Sequence, residues 1–328
     1  MKNEFNIHPN AYITNTSIGA TMLNPSQNGL SIINNAGRSN VSDNRYSSVT
    51  EELFEEDTQH YKNCSIELEE KNKQLMESIS YAKRLQQSIL PSTEMINSCL
   101  GEHFVLNKPK DIVSGDFYFV EPISASDGRD LTAFAVADCT GHGIPGAFMS
   151  MLSYGILKSS LTDRTVNSSG DVLDYLNRSI SQAFHNSDSI DKVRDGMDIS
   201  FCVLDNATKV LQYSGANSKA IIIKKNKDLI ELIPDRQAIG YDEQNNSFRT
   251  EYFQLEEGDT LYLFSDGFRD QFGGFNGKKL GYKNFIRKLA EVNDQPLSHQ
   301  KTSMENYFEA WKGNYQQLDD VLLFGIKI

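Results

Sequence analysis

Four places in the chain set an aspartate beside small residues at the end of an apolar run. They are Asp116 in Ser114-Gly115-Asp116 ahead of FYFV, Asp138 after LTAFAVA, Asp266 in Ser265-Asp266-Gly267 after TLYLF, and the Asp319-Asp320 pair ahead of VLLFGIKI. Taken singly, an aspartate next to glycine at a strand end is a turn residue whose carboxylate accepts nearby N–H groups. Taken together, four such carboxylates meeting on one rim of a sheet repel one another unless a divalent cation lies among them. Hard oxygen donors without a cluster of histidine or cysteine select magnesium or manganese over zinc. Two such cations about 4 Å apart lower the pKa of a shared water and clamp phosphate oxygens, which is the chemistry of phosphate monoester hydrolysis. That reaction is among the slowest known in water, so the carboxylates are not expected to tolerate even Asp→Asn.

Beside Asp138 runs CTGHGIPGAF, where Gly141, Gly143 and Gly146 permit close backbone approach and Pro145 suits the first turn of a helix. A glycine-rich turn into a helix N-terminus is an anion site, with Gly141 and Gly143 as its phosphate-facing positions. No Gly-Lys-Ser/Thr follows, which excludes a Walker loop. His142 is a candidate acid toward the leaving oxygen, or else a residue that fixes the loop by hydrogen bonding. Lys108 and Lys110, upstream of Asp116, either attract the substrate phosphate or are solvated surface lysines.

The elements that must position these residues are mostly strands. Short apolar runs predict strands over 117–120, 131–137, 199–204, 210–213, 220–223, 229–232, 250–255, 260–264 and 321–328. Helical periodicity predicts helices over 145–161, 171–185, 282–290 and 298–311. Hairpin-sized gaps between successive strands make the sheet largely antiparallel, giving an α+β sandwich flanked by helices rather than a doubly wound fold.

Ahead of this globular part, residues 1–50 are rich in Asn, Ser and Thr, without hydrophobic period, and are expected to be a disordered tail. From Glu51 to Leu90 there is neither Gly nor Pro, and Glu, Lys, Gln and Leu favour one long helix that Pro91 ends. Residues 51–100 are thus a helical linker and 101–328 the catalytic domain. One apolar row repeats every seven residues through Phe54, Tyr61, Leu68, Leu75, Ala82 and Ile89, while the companion row holds Thr58, Ser65, Asn72, Ile79 and Gln86. Half a coiled-coil seam leaves two readings: a helix lying on the domain, or a parallel homodimer through 51–90 that carries a signal.

In the 328 residues, 39% hydrophobic and 10% aromatic composition supplies material for a core, and 32 basic against 44 acidic residues give a net charge of -12. That charge repels phosphate backbones and anionic lipid, so nucleic acid and membranes are not expected ligands. The four cysteines are too dispersed for a zinc site and suit reduced thiols in the cytoplasm. No apolar run approaches a membrane span, and MKNEFNIHPN lacks the features of a secretory signal.

The ordered series PKDIVSGDFYFV, FAVADCTGHGIPGAFMSML, DGMDISFCVLD, LQYSGANSKAIII, DRQAIGYDE, GDTLYLFSDGFRDQFGG and LDDVLLFGIKI, spanning about 104–328, resembles the metal-dependent PPM-type serine/threonine phosphatases. The branch is that of the sporulation phosphatase SpoIIE and the stress-response phosphatases that act on anti-sigma-factor antagonists. The stretch YAKRLQQSILPS resembles the helix that joins this domain to a sensor or dimerisation module. The resemblance implies two antiparallel sheets flanked by helices and a centre of two cations, manganese or magnesium. It implies that Asp116 contacts metal, that Asp138 bridges the ions and that the backbone carbonyl of Cys139 serves one of them. Asp266 and Asp319 would hold the other side, with Asp319 preferred to Asp320, and Asp198 in DGMD is a weaker candidate. Phe119 stands where many relatives have Asp, and Leu322 where Thr is frequent; neither removes an implied ligand. The arginine that binds phosphate in eukaryotic relatives has no clear match.

The expected activity is therefore metal-dependent hydrolysis of phosphoserine or phosphothreonine on a signalling protein, by analogy an anti-sigma-factor antagonist. An upstream sensor protein would supply the input. A regulatory adaptor that binds its partner without turnover is the alternative, and retention of all the acids argues against it. A metal-dependent nuclease would use the same ions but finds no basic groove here.

Overall fold

In a computed structural model, residues 43–124, 128–163, 166–185, 195–240 and 246–328 are described. The chain divides into two units, one ending at Leu68 and one running from Glu69 to Ile328. The described part of the first is helix α1 (Asp43–Ile89) up to the boundary; the helix is already formed at Asp43, ahead of the composition change at Glu51. The tail expected over 1–50 otherwise lies outside the described residues. On α1, Tyr61, Leu68 and Leu75 of the heptad row are exposed.

The second unit is built on two five-stranded antiparallel sheets. One has the order β1-β12-β9-β6-β7, from His103–Lys108, Val321–Lys327, Thr260–Phe264, Ala220–Ile223 and Leu229–Leu232. The other has the order β2-β3-β4-β5-β8, from Phe117–Ser124, Asp130–Cys139, Met197–Asp205, Val210–Ala216 and Glu251–Gln254. Side chains of period two divide each central strand between two cores. In β3, Phe134 and Val136 point between the sheets, where they meet Leu263, Leu322 and Phe324 of the facing sheet. Its Ala133, Ala135 and Ala137 point outward, and their small size lets α3 (Gly143–Ser160) and α4 (Ser169–His185) pack on that face through Met149, Leu157, Leu173 and Ile180. The outer face of the other sheet carries α6 (Tyr282–Val292) and α7 (Leu297–Lys312) through Phe285, Leu289, Met304 and Phe308.

The result is four layers, helix, sheet, sheet, helix. This explains why LTAFAVA and VLLFGI read as continuous apolar runs although the sheets are antiparallel: both faces of these strands are covered. Each fully buried Leu, Ile or Phe adds about 2–3 kcal/mol of transfer free energy. Several elements escape the sequence reading. Strand β1 has only two fully buried residues, Phe104 and Leu106. Helix α2 (Thr93–Leu100) is a short piece whose Ser92 N-cap accepts the Met95 N–H at 3.2 Å. A short hairpin pairs β10 (Phe272–Gly273) with β11 (Lys278–Lys279). No helix among the described residues is long and apolar enough to cross a membrane.

Candidate active site

Antiparallel pairing places the aspartates at one end of the sandwich. Asp116 immediately precedes β2, and Asp138, near the end of β3, stands in register with Asp198 at the start of β4. In the facing sheet, Asp266 leaves β9 as the N-cap of α5 (Gly267–Asp270), and Asp319 enters the neighbouring strand β12. Asp138, Asp198, Asp266 and Asp319, together with Cys139, Gly141 and His142, line a cavity of about 440 Å³.

Two glycines allow the backbones to close in there. A Cβ on Gly115 would lie 2.6 Å from the carbonyl oxygen of Gly141, and one on Gly267 would lie 2.0 Å from that of Asp320. The small residues read in the sequence as turn formers thus tie the entry of β2 to the CTGHG loop and the end of β9 to the start of β12.

The electrostatics show what the cavity is suited to hold. Burial pushes the Asp116 carboxyl well above the usual carboxylate range, and the neighbouring Asp138 pushes it further. Asp138 is pushed up to about 8, by burial and then by Asp266, Asp319 and Asp198. Asp266 is raised by burial, although the Arg269 guanidinium opposes this, and Asp198 is raised by burial against Asn217 and Arg269. The Oδ2 atom of Asp116 is buried without a hydrogen-bond partner. A buried, unpartnered carboxylate oxygen amid mutually repelling acids is the donor set of a hard divalent cation, so the residues fit such an ion. Among the described residues, no three His, Cys, Asp or Glu side chains already stand in coordinating geometry. Ions of the magnesium type keep several waters and need only one or two carboxylates each, so a ring of acids around a cavity suits them better than a closed cage.

The family profile of stage II sporulation protein E, SpoIIE, matches residues 128–328. The chain belongs to the SpoIIE family. The PP2C domain of SiaA from Pseudomonas aeruginosa superposes with a TM-score of 0.68 at 29% identity, over 78% of this chain and 98% of that one. The PP2C phosphatase domain of Bacillus subtilis SpoIIE, solved with a fragment of its regulatory domain, gives 0.53 at 19% identity over 69% of this chain and 61% of that one. The RsbU and RsbW domains of Rv1364c from Mycobacterium tuberculosis give 0.52 at 14% identity, over 70% and 60%. No curated protein sequence matches. This chain is a PP2C-type phosphatase, and the PP2C family is metal-dependent.

Within this SpoIIE-family domain the adjacent acids Asp319 and Asp320 separate by environment. Asp320 is buried and both its oxygens are engaged, accepting the Lys110 and Gly115 backbone N–H groups at 2.7 Å each. Asp319 lines the cavity, and its Oδ1 accepts the Asp320 N–H at 2.9 Å. Asp320→Asn is therefore expected to lower stability by about 1–3 kcal/mol, because one buried N–H loses its acceptor. Asp319→Asn should leave the unfolding midpoint nearly unchanged while weakening manganese binding. Thermal melts and metal titrations of both variants check this.

The lysines fall elsewhere. Lys108 does not line the cavity: it is paired with Glu305 at 3.2 Å and Glu309 at 2.9 Å on α7. Lys110 contributes its backbone N–H to Asp320 and does not line the cavity. Gly141 lines the cavity, whereas Gly143 opens α3, where a Cβ would lie 3.0 Å from Asp111 Oδ2. The Cys139 side chain is buried, and its thiol is raised by burial and by Asp138.

Three contributors were not singled out in the sequence. Asp111 binds His142 Nδ1 through Oδ2 at 2.7 Å. Asn217, at φ 52°, donates from Nδ2 to Asp198 Oδ1 at 3.0 Å. Arg269 shares a second, small pocket with Asp138, Asp198 and Asp266. Asp111 and Arg269 lie inside the quoted motifs PKDIVSGDFYFV and GDTLYLFSDGFRDQFGG, but only the fold shows that Asp111 holds His142 and that Arg269 stands beside the acids.

Proposed function

We propose that the chain hydrolyses phosphoserine or phosphothreonine on a signalling protein. The observation that carries this reading is the convergence of carboxylates from both sheets on one cavity, with Asp116 buried and one of its oxygens unpartnered. Asp116, Asp138, the carbonyl of Cys139, Asp266 and Asp319 would hold two divalent cations, manganese or magnesium, with Asp198 as an accessory donor. When bound, such cations supply an activated water and charge stabilisation for the phosphate. The protein's own residues do the rest. Asp111 fixes the His142 ring through Nδ1, which leaves Nε2 to hold a proton for the departing serine or threonine oxygen. The N-terminus of α3 next to His142 directs backbone N–H groups and a positive dipole end toward an anion.

The substrate class is drawn by analogy with the family: an anti-sigma-factor antagonist, with a separate sensor protein upstream and the cytoplasm as the compartment. The four cysteines carry no disulfide, which agrees with a reducing compartment. Exposed Tyr61, Leu68 and Leu75 on α1 support pairing of two copies through this helix. Sedimentation of the full chain against residues 100–328 tests the pairing, and two monomers would remove it. For the activity, phosphoserine and phosphothreonine peptides are assayed with manganese beside single-stranded DNA. Phosphate release from the peptides with intact DNA is the expected result. DNA cleavage, or binding of a phosphoprotein without turnover, would replace the reading with a nuclease or an adaptor.

A further inference from the structure

Outside the cavity, the short hairpin of β10 and β11 carries apolar side chains into solvent on a well-anchored base. Gln271, which is fully buried, donates from Nε2 to the Gln316 carbonyl at 2.9 Å and accepts the Leu318 N–H on Oε1 at 3.1 Å. Its own carbonyl accepts the Leu280 N–H and the Trp311 indole N–H, at 3.0 Å each. Gly274 donates its N–H to the Trp311 carbonyl at 2.8 Å, and a Cβ on Gly273 would lie 1.9 Å from that same oxygen. Only glycine lets the hairpin close so tightly on the end of α7.

At the tip the order reverses. Phe275 is 105% exposed, and Phe272, Tyr315 and Leu318 are exposed with it. A Cβ on Gly277 would lie 2.6 Å from the Tyr315 hydroxyl, which sets that side chain beside the turn. Large apolar side chains gathered at one exposed place mark an interaction surface. This one adjoins the active site. Tyr315 stands at the hairpin and Asp319 lines the cavity, and the four residues of chain between them span at most about 14 Å. A small folded domain is about 30 Å across. A phosphoprotein that delivers a serine phosphate to the cavity is thus wide enough to cover the patch in the same encounter. Charge narrows its chemistry. Lys279 is held by Asp270 at 3.1 Å, whereas Lys278 is exposed and makes no ion pair among the described residues, so it is left for an acidic partner.

We propose that the hairpin, with Tyr315 and Leu318, is the docking surface for the phosphoprotein substrate, and that it selects apolar and acidic residues flanking the phosphorylated serine. The inference rests on the phosphatase reading given above and names the chemistry of its substrate.

The test uses the full chain with manganese and its Phe275→Ser and Lys278→Glu variants, both at exposed positions where the fold is not at stake. The substrates are p-nitrophenyl phosphate and three phosphoserine peptides whose arms, on both sides, alternate Leu with Glu, Leu with Lys, or Ser with Glu. Arms of about six residues reach about 20 Å, enough to pass from the cavity to the hairpin. Wild type should favour the Leu-Glu peptide over each of the others by about tenfold in kcat/KM, mainly through KM. Phe275→Ser should remove the advantage over Ser-Glu, and Lys278→Glu the advantage over Leu-Lys. Turnover of p-nitrophenyl phosphate, which has no arms, should stay unchanged in both. Equal rates on the three peptides, or preferences that survive the substitutions, overturn the proposal. Sedimentation of the same proteins checks the other occupant: self-association of wild type that Phe275→Ser abolishes would give the patch to a second copy and also overturn it. Wild type that hydrolyses neither p-nitrophenyl phosphate nor any peptide would instead remove the phosphatase reading beneath it.

Discussion

Asp138→Asn is expected to lower turnover of a phosphoserine peptide by about 10³-fold or more, some 4 kcal/mol of transition-state stabilisation, while raising the unfolding midpoint of the metal-free protein. The two effects have one cause. Asp138 is half-buried, and its removal from water together with the neighbouring Asp266, Asp319 and Asp198 pushes it up to about 8. Its negative charge is therefore unfavourable in the metal-free protein and becomes favourable only when a cation is present. Asparagine keeps the shape and removes the charge. At pH 8 the relief amounts to a few kcal/mol, or a rise of roughly 5 °C or more in the midpoint. Calorimetric melts in EDTA and steady-state kinetics in manganese measure the two sides. A variant that loses activity and stability together would show that Asp138 acts as an ordinary core residue.

The second large effect is on the pH dependence of the metal-free chain. Asp116, Asp138, Asp266 and Asp320 all have folded-state values above the ordinary carboxylate value. A group whose pKa is raised by folding holds more protons in the native state. Its contribution to stability is intact below about pH 4 and is lost as pH rises through the folded value, which for Asp138 is about 8. The carboxylates that folding lowers, Glu94, Asp205, Asp259 and Glu309, act in the opposite sense but only below about pH 4.5, where the unfolded chain takes up protons. Between pH 5 and 8 the raised acids decide the sign. The unfolding midpoint in EDTA should therefore fall across that interval, and saturating manganese should flatten or reverse the fall, since metal binding displaces the shared protons. A midpoint that is level or rising in EDTA contradicts the assignment of the cavity.

Much of this was readable from one sequence because the signals are local. Strands such as LTAFAVA and VLLFGIKI announce themselves by unbroken apolar runs, and the acids stand at their ends, where antiparallel connection returns them to one rim. Strand β1 was not legible: in HFVLNK only two residues are fully buried, and the rest of its identity comes from pairing with β12. Adjacent Asp319 and Asp320 also look alike in sequence. Their roles divide only through long-range partners, the N–H groups of Lys110 and Gly115 some two hundred positions away. Lys108 misled for the same reason, since its proximity to Asp116 along the chain says nothing of Glu305 and Glu309 on α7. Gln86, placed in the sequence as a poor position in a coiled-coil seam, is buried and donates to the Ser114 carbonyl 28 residues later.

The most direct measurement of the central claim is phosphate release from a phosphoserine peptide by the full chain stripped with EDTA, before and after manganese is restored. The account predicts no release from the stripped protein and recovery of turnover when the metal returns. Equal release in both states, or none in either from a folded protein, would contradict it.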